Sequence, residues 1–193
     1  MRVVLVHGIL DSGRKFRRMQ QFLEARGHCC LAPSLEPNDG RDGLEGLAEQ
    51  LRRQIDGAWG AQARFALVGY SMGGLIARWF LQELRGADRV DRFFAISVPM
   101  RGSLLAYGYP GRGARQMRPG SALLRRLDET ADRLAGVALF GCWTPFDAVI
   151  LPPSSANWPL AEMRRVPALC HPCMLSHPLV LEQVAAGLAD RLD

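Results

Sequence analysis

Lysine is almost absent from this chain: Lys15 is the only one among 24 basic residues, so the formal net charge of +5 comes almost wholly from arginine. Clusters such as Arg14-Lys15-Arg17-Arg18, Arg125-Arg126 and Arg164-Arg165 are not interleaved with aromatics, which excludes a stacking platform for nucleic acid. They read as solvated faces, with peripheral contact with anionic lipid, or steering of an anionic substrate, as the alternative. No run of about 20 apolar residues occurs, because arginines interrupt every hydrophobic stretch, and a transmembrane helix is therefore not expected. The first apolar segment, Val3 to Val6, runs straight into His7-Gly8 and is too short for the core of an export signal, so the expected compartment is cytoplasmic.

Cysteine is also sparse. Five cysteines, an odd number, without an export signal are expected to be reduced thiols that serve as packing residues. Cys170-His171-Pro172-Cys173 has redox-dithiol spacing, but it follows a strand-like run instead of opening an early helix. A zinc site would need two further ligands, and Cys29-Cys30 are adjacent where ligand pairs are normally spaced. No metal or organic cofactor is expected.

What is present is the composition of an ordinary globular protein. With 193 residues, of which 48% are hydrophobic, the chain is expected to form a single domain over residues 1–193. Strand-like runs at residues 2–6, 29–32, 64–68, 92–96, 137–142 and 166–170 alternate with helical stripes, the pattern of βαβ units and a mainly parallel sheet. The stripes are Phe16, Met19, Phe22 and Leu23; then Leu44, Leu47, Ala48, Leu51 and Ile55; then Leu75, Ile76, Trp79, Phe80 and Leu84; and finally Val180, Val184 and Leu188. One long irregular stretch, residues 100–119, is rich in Gly and Arg and reads as a polar rim without the apolar stripe of an amphipathic cover.

Gly69-Tyr70-Ser71-Met72-Gly73-Gly74 falls where the third strand gives way to a helix. A serine at so tight a turn is held in a strained conformation with its hydroxyl projecting from the sheet edge, and flanking glycines remove side chains that would clash. That context makes Ser71 a candidate nucleophile. A serine hydroxyl needs a histidine base and a carboxylate to orient that base, in chain order Ser, acid, His. Asp147 follows the fifth strand-like run, where functional groups collect in such sheets, with a turn-forming role beside Pro145 as the alternative. Of four histidines only His171 and His177 follow it. His171 emerges from the last strand-like run, whereas His177 stands at an expected helix N-terminus, where the dipole disfavours an imidazolium. His171 is the preferred base and His177 the alternative. The oxyanion donors are expected to be the backbone N–H groups of Met72 and of Ile9, the latter in the loop after the first strand; His7 reads as a brace of that loop.

These segments, together with Pro99-Met100-Arg101-Gly102-Ser103 and Pro119-Gly120-Ser121, resemble the small lipase and esterase branch of the α/β-hydrolase fold. The branch's run after the base, two arbitrary residues then two apolar ones and a Val opening the last helix, is matched by Met174, Leu175 and Val180, which supports His171. The resemblance implies a minimal α/β-hydrolase fold of about six mainly parallel strands flanked by helices, with no large lid. It implies a serine carboxylic-ester hydrolase acting on acyl esters or lipids through an acyl-enzyme. An acyl-thioesterase or acyltransferase with the same triad is the alternative, and a non-catalytic binding module on the same fold is the rival from another class.

Overall fold

The computed structural model describes residues 1–189. Six strands form one sheet: β1 (Arg2–Val6), β2 (Cys29–Leu31), β3 (Phe65–Tyr70), β4 (Val90–Ile96), β5 (Ala138–Trp143) and β6 (Glu162–Arg165). Their order is β2-β1-β3-β4-β5-β6, and every neighbouring pair is parallel. Parallel strands need crossovers, which are supplied largely by α1 (Arg17–Glu24), α2 (Leu44–Trp59), α3 (Met72–Glu83), α4 (Arg112–Gln116) and α5 (Ala122–Glu129). After β6 the chain closes with α6 (Pro178–Ala189).

Because side chains alternate along a strand, the sheet has a core on each face. Val4, Val6, Leu67, Phe93 and Ala95 pack against α2, α3 and α5. Val3, Leu5, Val68, Phe94 and Ile96 pack against α1 and α6. All six residues of β3 are buried, which is the continuous apolar run of a central parallel strand covered on both sides.

The last strand differs from expectation. Residues 166–170 are irregular, and the edge strand is the charged run Glu162–Arg165, three of whose four residues are exposed. Val166 and Ala168 are apolar because they are buried below the sheet's end, and Pro167 between them has no N–H to give a ladder. A strand with a single partly buried apolar residue, Met163, carries no alternating signal to find.

Helix α3 is apolar nearly all round, and one of its buried residues is Arg78, with no solvent exposure. Its guanidinium donates to the Leu127 carbonyl at 2.8 Å and to Gln82 at 3.0 Å, and lies 4.9 Å from the centre of the Trp158 ring. Its carboxylate neighbour, Asp128 at 3.3 Å, is 66% exposed. Water screens that ion pair, so the hold of α3 on α5 comes from the buried donors. Arg78→Ala, which empties a fully buried volume and removes its donors, is therefore expected to lower the unfolding free energy by about 2–5 kcal/mol. Asp128→Ala should cost about 1 kcal/mol or less. Urea unfolding of both variants checks the contrast; equal losses would mean that the ion pair carries the contact.

Candidate active site

At the end of β3 the chain must reverse into α3 within one residue, and Ser71 absorbs the turn with φ 55° and ψ −128°. A non-glycine residue in that region costs on the order of 1–3 kcal/mol and persists only where its surroundings over-determine it. Here they do: Ser71 N–H donates to the Ile96 carbonyl at 3.0 Å, and its own carbonyl accepts from Gly74 at 3.0 Å. A Cβ at Gly73 would lie 2.3 Å from the carbonyl oxygens of both Val6 and His7, so only glycine lets α3 start against the end of β1.

Ser71 and His171 line one cavity of about 330 Å³, together with Gly8, Ile9, Leu10, Tyr70, Leu105, Met117 and Ile150 among others. Gly8 crosses close to the serine; a Cβ there would be 3.0 Å from the Ser71 Cβ. Asp147 stands in the loop after β5 and His171 in the segment between β6 and α6. Both are buried, and Asp147 Oδ2 is 2.7 Å from His171 Nδ1. A carboxylate can only accept, so the imidazole donates from Nδ1 and keeps Nε2 as its acceptor. The other oxygen, Oδ1, accepts from the N–H groups of Val149 and Ile150 at 2.9 Å each. Burial alone would raise the Asp147 pKa, but the hydrogen bond and charge of His171, with the two backbone donors, outweigh it and hold the carboxyl below its ordinary value. The imidazole face lies on the Tyr70 ring with centroids 4.8 Å apart.

His177 has other partners. Its carbonyl accepts from Val180 and Leu181, and its Nδ1 accepts from Leu179 N–H at 3.3 Å, so it caps the first turn of α6. His7 is fully buried, with Nδ1 donating to the Gly8 carbonyl at 2.8 Å and Nε2 accepting from Leu35 N–H at 2.9 Å. In a trans peptide the N–H points opposite to the carbonyl, so fixing the Gly8 oxygen also fixes the direction of the Ile9 N–H. Met72 is the first residue of α3, where helix geometry leaves N–H groups without an intrahelical acceptor.

A family model described as alpha/beta hydrolase fold matches residues 2–110, more than half of the chain. The chain belongs to the alpha/beta hydrolase fold family. The matched stretch contains Ser71, whereas Asp147 and His171 lie beyond it. Among curated proteins, the human lysosomal thioesterase PPT2 is 30% identical over 104 residues, covering 52% of this chain and 34% of that protein. The bovine lysosomal thioesterase PPT2 matches over the same extent at 30%. The chain thus spans about a third of the length of these relatives. Among solved structures, the mature Bacillus licheniformis lipase BlEst2 superposes with a TM-score of 0.80 at 16% identity, covering 97% of this chain and 91% of that one. Aspergillus fumigatus lipase B gives 0.78 at 18%, covering 98% of this chain and 52% of that one. At such identities the structural likeness concerns the fold. Among the described residues it is a hydrolase fold without a large lid.

Two expectations about this chain are corrected. Residues 100–119 are not a long polar rim: they form a 3-10 turn at Leu104–Tyr107 and the short helix α4, with Leu104, Leu105, Tyr107 and Tyr109 exposed at the surface. Segments of one turn are too short to show a periodic stripe, so the apolar content was not legible as a pattern. Arg118 lies over the Tyr107 ring, 4.8 Å from its centre, and is partly covered by it. Secondly, Cys170 and Cys173 are not thiols but form a disulfide, their Cα atoms 5.1 Å apart. A single helical turn brings the two ends of a Cys-x-x-Cys within bridging distance. Cys29, Cys30 and Cys142 are free.

Two contacts escaped the sequence reading. Tyr70 occupies a variable position of the Gly-x-Ser-x-Gly run, and nothing in that run signals its contact with the imidazole. Ser103 appeared only within a motif, yet its hydroxyl donates to the Val149 carbonyl at 2.8 Å and accepts from Leu151 N–H at 3.0 Å, tying the 100–119 segment to the loop that carries Asp147.

The Asp147 environment sets a pH dependence. Because the folded carboxyl titrates below its unfolded value, its contribution to stability is complete above the unfolded pKa, near 3.9, and is lost as the pH falls through the lower folded pKa. Asp147→Asn should remove this component. Thermal melts of both proteins between pH 6 and 2 are expected to show the difference in melting temperature narrowing toward acid; a constant difference would show that the carboxylate is not selectively stabilised.

Proposed function

We propose that this hydrolase is a serine carboxylic-ester hydrolase of the lipase and esterase type. The observation that carries the reading is the 2.7 Å contact of Asp147 with His171 beside a cavity that His171 shares with Ser71 on its strained turn. In the proposed reaction Ser71 Oγ attacks the ester carbonyl while His171 Nε2 takes its proton. The imidazolium is stabilised by Asp147, and the oxyanion is met by the N–H groups of Ile9 and Met72. His171 then protonates the departing alcohol. Water, activated by the same imidazole, releases the acid and restores Ser71.

The substrate is an ester with an apolar acyl part. The cavity is lined mainly by apolar side chains, and its volume lies at the small end of ligand sites, which favours short and medium acyl chains. Leu10, Leu104, Leu105, Tyr107, Tyr109, Phe146 and Leu169 are exposed on loops that leave the C-terminal ends of the strands, at the same end of the sheet as the site. An acyl chain longer than the cavity finds apolar surface there. A second reading, thioester hydrolysis, is favoured by the likeness of 104 residues to the lysosomal thioesterase PPT2, since the same groups serve a thiolate leaving group.

Initial rates on p-nitrophenyl esters of graded acyl length, with an acyl-coenzyme A thioester beside them, test both readings. Turnover is expected to peak at short to medium chains. Ser71→Ala and His171→Ala should each lower kcat by roughly 10³-fold or more, and His177→Ala should change it only several-fold. A dead His177→Ala beside an active His171→Ala would move the base by six residues. Turnover of neither substrate class would leave a binding module.

A further inference from the structure

We propose that the Cys170–Cys173 disulfide is a positioning element for the general base, holding in place the one turn of chain that carries His171. The proposal rests on the reading of His171 as that base.

The reason lies in how little else fixes this turn. After β6 the chain leaves the sheet, and its last firm anchors are Val166 N–H, which donates to the Trp143 carbonyl at 2.8 Å, and the Ala168 carbonyl, which accepts from Thr144 Oγ1 at 2.5 Å. The next side chains buried in the apolar core are Met174 and Leu175. Between these anchors Leu169 is 80% exposed, Pro172 is exposed, and His171 is itself the group to be positioned. The bridge spans this gap and encloses only His171 and Pro172. It is supplemented by Cys173 N–H donating to the Cys170 carbonyl at 3.1 Å and Met174 N–H donating to the His171 carbonyl at 3.2 Å. The imidazole meets Asp147 at its edge and Tyr70 at its face, and neither partner fixes the backbone beneath it.

Both cysteines are partly exposed, so a small dithiol has access. Its thiolate attacks one bridge sulfur, giving a mixed disulfide and one protein thiolate. Its second thiolate then displaces the other cysteine, leaving two protein thiols and the oxidised, cyclic reductant. The dithiol supplies the two electrons and two protons. With the ring open, the His171 turn keeps its hydrogen bonds but loses its covalent closure. A displacement of the order of 1 Å costs about 10²-fold in rate, so a partial loosening is expected to lower kcat about tenfold. The acyl-binding cavity is otherwise untouched, and KM should stay within about twofold.

The test measures kcat and KM on one p-nitrophenyl ester before dithiothreitol, after it, and after reoxidation, with thiols counted by alkylation and the fold followed by near-ultraviolet circular dichroism. Thiols should rise from three to five, kcat should fall and recover, and the spectrum should be retained. The double variant Cys170→Ser/Cys173→Ser, which keeps the other three cysteines, should resemble reduced wild type and ignore dithiothreitol. An unchanged kcat on full reduction, with His171→Ala inactive, overturns the proposal and leaves the base assignment standing. So does an equal response of the double variant, a fall in kcat accompanied by loss of the folded spectrum, or five thiols before any reductant. An active His171→Ala overturns the base assignment itself, whatever reduction does.

Discussion

The constraint on which the rest of the structure depends is the one-residue reversal at Ser71. A strand buried on both faces must hand over to a helix that packs back on the same sheet, and the only room for the joint lies against the end of β1. Val6 and His7 leave no space for a side chain at Gly73, and Ile96 of β4 takes the Ser71 N–H. Strain at one residue is thus held by the pairing of three strands. The same crowding brings Gly8 beside Ser71, so the loop after β1 and the serine are positioned by one packing event. The buried donors of Arg78, about two turns further along α3, keep the helix from yielding.

The second half of the site is built electrostatically. Asp147 sits in a place where burial opposes its charge, and it remains ionised because three donors meet its two oxygens. Two of those donors belong to its own loop, so the carboxylate organises the turn that carries it while orienting the imidazole. Ser103 binds the same loop through the Val149 carbonyl and the Leu151 N–H. His7 is a contrasting use of the residue type: with both nitrogens committed to backbone groups, it orients a peptide.

Much of this was legible in the sequence because it is governed by local rules. Strands β1 to β5 announce themselves as short apolar runs, the stripes of α1, α2, α3 and α6 repeat at helical spacing, and the glycines around Ser71 mark a joint that admits no side chain. Asp147 and Ile9 each follow a strand end, where such a sheet presents its groups, whereas His171 was reached from residues 166–170, a run expected as a strand that is irregular in the fold. What was illegible depends on contacts between distant segments or on patterns too short to register. Glu162–Arg165 is a strand only because β5 offers it an edge. The turn at Leu104–Tyr107 and the helix at Arg112–Gln116 are four and five residues long, too short for a periodic pattern to show. The Cys170–Cys173 bridge was misread because its meaning depends on the backbone turn between the two residues, and spacing alone fits several chemistries.

The central claim is that Ser71 is made nucleophilic by the arrangement around it, and covalent capture tests this without knowledge of the natural substrate. Peptide mass spectrometry after exposure to an alkyl fluorophosphonate reads the site of reaction directly. The account predicts one adduct per chain, on the peptide containing Ser71, absent from Ser71→Ala. An adduct on another residue, one that persists in Ser71→Ala, or none at all in folded protein would contradict it.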